Sequence, residues 1–161
     1  MNVLPFKTIV GQGYSSNVNA TIMNIGSYSE TFNVTLYANT TLVETREVTL
    51  TIESSTTLTF VWSTTGFAYG NHTLTVFMEP VENETNTADN TLVGGSVIVT
   101  IPGDVNGDKT VDIFDAIMLS GAYGSQPSSP NWNANADING DNTVDIFDAI
   151  LLAGNYGQTI I

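Results

Sequence analysis

Eight of the sixteen acidic residues stand in one short pattern that is written twice. Asp104-Val-Asn106-Gly-Asp108-Lys-Thr110-Val-Asp112-Ile-Phe-Asp115 recurs 33 residues later as Asp137-Ile-Asn139-Gly-Asp141-Asn-Thr143-Val-Asp145-Ile-Phe-Asp148. Each copy places oxygen-bearing side chains at positions 1, 3, 5, 9 and 12 of a twelve-residue stretch. Calcium takes six to eight hard oxygens. A loop of this length can wrap one ion with side chains at those places, a backbone carbonyl at position 7 and often a water at position 9. On this reading Asp104, Asn106, Asp108 and Asp115 bind a first ion directly, with the carbonyl of Thr110 and a water held by Asp112. Asp137, Asn139, Asp141 and Asp148, the carbonyl of Thr143 and Asp145 repeat the arrangement, so the expected cofactor is two Ca2+.

A single Asp-x-Asn-x-Asp run can be an ordinary polar turn. Here every acidic residue beyond position 101 falls at a ligand position, eight of eight, whereas solvated acidic surface would scatter them. The copies depart from the general calcium loop in two ways. Asp115 and Asp148 replace the longer Glu at position 12, and Lys109 and Asn142 stand at position 6 where Gly is usual. Gly107 and Gly140 at position 4 are expected to relieve the turn instead, and Val111 and Val144 at position 8 to anchor the loops to each other.

Elements must hold these loops. A helix of about ten residues is expected after each, Ile113 to Tyr123 and Ile146 to Tyr156, stopped by Gly124 and Gly157. No helix is expected before either loop. Ser125 to Trp132 reads as a Pro-rich crossover, with Trp132 covering it. A unit of about 60 residues buries little apolar surface, and its clustered carboxylates repel one another without a cation. Calcium binding is therefore expected to be coupled to folding.

From the start to about Thr100 the periodicity changes to two, the pattern of strands. Val18, Ala20 and Ile22 share a face, as do Phe32, Val34 and Leu36, and Leu58, Phe60 and Trp62. Asn17, Asn19, Thr21, Asn33 and Thr35 are expected to point outward. Turn residues cluster at 11–13, 24–26, 39–41, 53–55 and 64–70, and further runs cover 42–50, 71–78 and 92–101. A first strand near Phe6 to Val10 is interrupted at its start by Pro5. About seven strands in about 100 residues favour an antiparallel sandwich of two sheets. Trp62 is expected in its core, and His72, the single histidine, in a structural role.

The formal net charge of −13 excludes nucleic-acid binding, which needs a cationic footprint. No apolar run is long enough to span a membrane as a helix, and the first thirty residues lack a basic start followed by an apolar stretch, so Met1 is read as beginning a mature or shortened chain. The chain has no cysteine, which excludes thiol chemistry and disulfides. Five Asn-x-Thr triplets, at Asn19, Asn33, Asn39, Asn71 and Asn83, are consistent with an extracellular or cell-surface setting and possible glycans.

Residues 102–161, a duplicated loop followed by a helix, resemble a dockerin, with repeats at about 104–124 and 137–157. The resemblance implies a small all-α, calcium-dependent plug that binds a cohesin receptor. It also implies that recognition centres on positions 10 and 11 of each repeat, here Ile113-Phe114 and Ile146-Phe147. Familiar dockerins often carry Ser-Thr-like pairs there. Because the copies match, a two-fold rotation could present either helix. Alternatively these pairs pack inward, Phe114 with Met118 and Phe147 with Leu151, or are buried against the neighbouring sandwich. Residues 1–101 resemble the CARDB domains, immunoglobulin-like or fibronectin-like modules of surface proteins, in Val18-x-Ala20-x-Ile22-Met-Asn24-x-Gly26, in Glu30-Thr-Phe32-Asn-Val34-Thr-Leu36-Tyr37 and in Glu84 to Asn90.

The expectation is thus a sandwich spacer or adhesion domain followed by a dockerin-like domain, together a non-catalytic module. Its partner is a cohesin-like protein or a second copy, and the short junction at 100–103 favours a fixed relation between modules. One alternative is a subunit of a surface layer or filament in which calcium rigidifies the joint. Another is carbohydrate binding by the sandwich.

Overall fold

The computed structural model describes residues 2–161, so Met1, the first residue of the expected sandwich region, lies outside the described residues. Eight strands come first, β1 (Asn2–Pro5), β2 (Ile9–Gly11), β3 (Ser15–Met23), β4 (Glu30–Ala38), β5 (Thr41–Leu50), β6 (Ser55–Ser63), β7 (Gly70–Met78) and β8 (Thr91–Thr100). Two helices follow, α1 (Ile113–Ala122) and α2 (Ile146–Asn155). The strands form two sheets in the orders β1-β3-β6 and β2-β8-β7-β4-β5. No helix of the described residues is long and apolar enough to cross a membrane.

The expected first strand is two. Pro5 has no N–H to donate, so it closes β1, whose partner is β3 in antiparallel register with Val3 opposite Ala20. After residues 6–8 the chain resumes as β2 in the other sheet. There β2 runs parallel to β8, with Ile9 opposite Ile98 and Gly11 opposite Thr100, a departure from a wholly antiparallel sandwich.

By compactness the described chain divides into two units. The first comprises the chain up to Pro5, Asn17–Trp62 and His72–Ser96. Alternation places Val18, Ala20 and Ile22 of β3, Val34, Leu36 and Ala38 of β4, Phe60 and Trp62 of β6, and Leu74, Val76 and Met78 of β7 in its core. Asn17 and Asn19 face outward and Thr21 and Asn33 are half-buried, whereas Thr35, expected outward, is buried. It lies on β4 between β7 and β5, and its hydroxyl meets that of Thr45 across the pair at 2.9 Å. The His72 ring meets Trp62 edge-on at 5.7 Å and its Nδ1 lies 3.1 Å from the Asn39 amide nitrogen, a structural setting. Asn24 explains its place in the surface-domain pattern. Its Oδ1 accepts from the Gly26 amide, and its Nδ2 donates to the carbonyls of Tyr28 and Leu50, so one buried side chain holds the whole turn.

The second unit comprises Phe6–Ser16, Ser63–Asn71 and Val97–Ile161. Its apolar core contains residues from matching places in the two repeats. Val105 and Ile138, Val111 and Val144, and Leu119 and Leu152 are all buried, with Ala116, Ala149, Leu151 and Trp132 packed around them. Each helix begins on an aspartate at position 9. Asp112 accepts from the Phe114 amide and Asp145 from the Phe147 amide, both at 2.8 Å, and position 12 completes a capping box. The helices end one residue earlier than expected, because Tyr123 and Tyr156 leave the helical conformation as caps, and Gly124 and Gly157 follow with φ of 77° and 83°.

Candidate metal centre

Each loop is organised around two buried carboxylates. Asp115 Oδ1 accepts from the amides of Val105 (2.8 Å) and Asn106 (3.1 Å), and its Oδ2 from Asp112 (2.8 Å). Asp148 repeats this with Ile138 (2.7 Å), Asn139 (3.1 Å) and Asp145 (2.9 Å). At position 1, Asp104 accepts from Gly107 and Lys109, and Asp137 from Gly140, Asp141 and Asn142. Positions 3 and 5 lie at the exposed rim. Asn106 accepts from the Asp108 amide and Asp108 from the Thr110 amide, and Asn139 and Asp141 do the same one repeat later.

The bonds of position 8 fix position 7. Val111 donates to the Gln158 carbonyl and accepts from Gly157, while Val144 donates to the Ser125 carbonyl and accepts from Gly124. Each loop is thus clamped to the residues that follow the other repeat's helix. Lys109 accepts from Ile160, so the antiparallel bridge of Thr110 with Thr159 uses the residues on either side of Thr110. In such a bridge the flanking groups face the partner, which leaves the Thr110 amide and carbonyl on the loop side. Both expected turn positions have left-handed backbone. Gly107 and Gly140 have φ of 77° and 81°, and Lys109 and Asn142 have φ of 76° and 69°. The Gly at position 4 therefore adds to the demand at position 6 and does not replace it.

Among the described residues no three acidic or histidine side chains already converge as a metal shell, since the carboxylates are occupied with loop amides. The residues nevertheless fit calcium by donor type, all hard oxygen, and by their unbalanced charge. Asp104, Asp115, Asp137 and Asp148 are almost wholly buried. Burial pushes the Asp104 carboxyl above its ordinary pKa, opposed by hydrogen bonds from the Thr100 hydroxyl (2.5 Å) and the Gly107 and Lys109 amides, with Asp115 adding to the rise. Burial also raises Asp137, opposed first by the charge of Lys7. In both cases the cost of burying the charge outweighs the groups that favour it.

Lys7 lies in no local motif that would mark it as part of this site. It is 3% exposed, donates to the Asp137 carbonyl and stands 3.9 Å from Asp137 Oδ2. The available signal was its rarity, one of three basic residues in an acidic chain. The pairs Ile113-Phe114 and Ile146-Phe147 lie on the solvent side of their helices, each residue more than half exposed. Leu119 and Leu152 fill the core in their place, so Phe114 and Phe147 do not pack inward as the alternative reading had it.

Residues 7–94 match the CARDB family. The chain belongs to that family. Residues 102–155 match the dockerin type I domain, so a CARDB domain is followed by a dockerin. CARDB is a domain of surface proteins, dockerins bind cohesins, and dockerin type I domains typically bind calcium. No curated protein matches the chain. Among solved structures, the CARDB domain of the PF1109 protein from Pyrococcus furiosus, described as in complex with di-metal ions, is 22% identical with a TM-score of 0.52. The match covers 61% of this chain and 84% of that one, and it shows the fold alone. A domain (residues 272–376) of a protein described as a cell surface protein from Methanosarcina acetivorans is 32% identical over 62% of this chain and 87% of that one, with a TM-score of 0.48. A segment making up 15% of a β-glucosidase from Erythrobacter marinus is similar in fold to 62% of this chain, at 12% identity and a TM-score of 0.50.

Proposed function

We propose that this CARDB-dockerin chain is a non-catalytic, extracellular attachment module. Two calcium ions hold the dockerin in shape, and it plugs into a cohesin through Ile113-Phe114 or Ile146-Phe147. The sandwich serves as a spacer or adhesion domain. The observation that carries this reading is the repetition of structure as well as sequence. Both loops use the same carboxylate-to-amide pattern, and both helices present the same large apolar pair to solvent. When bound, calcium would supply the charge that the buried aspartates lack. The residues that would hold it are Asp104, Asn106, Asp108, Thr110, Asp112 and Asp115, with their counterparts Asp137, Asn139, Asp141, Thr143, Asp145 and Asp148.

The test is binding to a panel of immobilised type I cohesins with calcium or excess chelator. Binding is expected only with calcium. Phe114→Asp and Phe147→Asp should each retain it, because the other helix remains, and the double variant should lose it while keeping its helical circular dichroism. Retained binding in the double variant would refute the surface, and failure to bind any cohesin would refute the partner. The same exposed pairs favour a second reading, self-association into a surface layer or filament. A calcium-dependent shift to higher mass on size-exclusion chromatography, abolished by the double variant, would establish it.

A further inference from the structure

We propose that Lys7 makes the two calcium loops unequal, weakening the second about tenfold so that the first fills before it. This rests on the calcium reading above. The ligand positions of the loops are identical, so any difference in affinity must come from their surroundings. At position 1 of the first loop the neighbour is neutral, the Thr100 hydroxyl on Asp104 Oδ2. At position 1 of the second it is the Lys7 ammonium, bonded to the Asp137 carbonyl and 3.9 Å from Oδ2. Burial lowers the Lys7 pKa, and the negative charges of Asp137, Asp148 and Asp141 oppose that fall and favour the ammonium. A Cβ added to Gly140, at position 4 of the same loop, would stand 3.8 Å from Lys7 Nζ.

The cation is fixed there. The amides of Thr8 and Ile9 both donate to Asn135 Oδ1, at 3.1 and 3.2 Å, and Asn135 Nδ2 donates to the Thr8 hydroxyl. The segment carrying Lys7 is thereby stitched to the residue two places before the loop, while Phe6 packs on Trp132 with ring centres 6.4 Å apart. Lys109 at the first loop does not compensate, for it is exposed and takes part in neither ion pair formed among the described residues, Lys7–Asp137 and Arg46–Glu44. A buried, tethered ammonium lowers calcium affinity twice over. It partly neutralises the carboxylates of the ion-free loop, and it repels a dication held by them. Even at the dielectric of water, a single and a double positive charge about 6 Å apart repel by the equivalent of about tenfold in affinity.

The test is isothermal titration of the full chain with calcium. The wild type should show two affinities about tenfold apart, with the stronger site lost in Asp108→Ala and the weaker in Asp141→Ala. Lys7→Met and Lys7→Gln, the latter keeping a donor for the Asp137 carbonyl, should both raise the weaker affinity about tenfold and leave the stronger unchanged, whereas Lys7→Arg should leave both unchanged. Equal affinities in the wild type, a reversed assignment, or failure of both neutral variants to strengthen the second loop would overturn the inference while leaving the calcium reading intact. No calcium binding in the wild type would overturn both.

Discussion

Asp115 and Asp108 are both calcium ligands in the proposed scheme, yet the structure predicts very different costs for replacing them with asparagine. Asp115 is fully buried and accepts three backbone amides. In Asp115→Asn the amide oxygen can keep Val105 and Asn106, but those bonds change from charge-assisted to neutral, about 1 kcal/mol each. The new NH2 then faces the Asp112 amide, donor against donor. A charged bond is lost and a buried N–H is stranded, for about 2 kcal/mol more. The sum of about 4 kcal/mol is a large share of the roughly 3–9 kcal/mol expected of about 60 residues at 0.05–0.15 kcal/mol each. Asp108 is exposed, and its asparagine variant keeps the Thr110 bond and gives up only the rim contact with Asn106 Nδ2, for less than about 1 kcal/mol. Urea melts in saturating calcium, followed at 222 nm, report on this unit because α1 and α2 are the α-helices of the described chain. Asp115→Asn should melt at a much lower urea concentration than the wild type, and Asp108→Asn should melt close to it. Equal midpoints for the two variants would refute the claim that position 12 scaffolds the loop.

Chelation should remove the helical signal while the strand signal of the sandwich persists, and an unchanged spectrum in excess chelator would contradict the coupling of metal and fold. Lys109→Gly removes a side chain from a backbone at φ 76° and should stabilise the calcium-loaded unit by about 0.5 kcal/mol, a rise of a few degrees in melting temperature, with a smaller gain for Asn142→Gly because asparagine tolerates this region. The acids raised by burial set opposite pH slopes. Without metal, Asp104 and Asp137 hold protons more tightly folded than unfolded, so their contribution to stability is full below the ordinary carboxylate pKa and is lost as pH rises through the raised value. Denaturant midpoints of any residual folded form in chelator should therefore increase on acidification from pH 7 to about 4. With calcium bound they should fall, because protons then compete with the ion.

The two repeated loops and the helices that follow them were legible because their signals are local. Ligand spacing, the capping aspartates and the stop at Gly124 and Gly157 all lie within a dozen residues, and periodicity of two located the strands. What escaped depended on residues far apart in the chain. Thr35 is a small polar residue at an outward-reading register position, and only its place between two strands buries it. The parallel pairing of β2 with β8 spans nearly the whole sandwich sequence, and no short motif announces it. Lys7 is 130 residues from its partner, in a segment whose alternation says only strand.

The repeat also shows how a duplicated sequence acquires two different halves. Both loops receive the clamp from the opposite repeat through Val111 and Val144, but the first receives one bond more, from the Ile160 amide to the Lys109 carbonyl at 2.9 Å. The residue 33 places before Ile160 is Pro127, which has no N–H, so the second loop cannot form that bond. Position 1 diverges in the same direction, a neutral hydroxyl at Asp104 against a buried ammonium at Asp137. Extra backbone support and a metal-ready charge thus fall on the first loop, while the second is partly neutralised before any ion arrives. On the proposed calcium reading, the twelve loop positions expected to hold metal are kept alike, and the residues around them set which loop fills first.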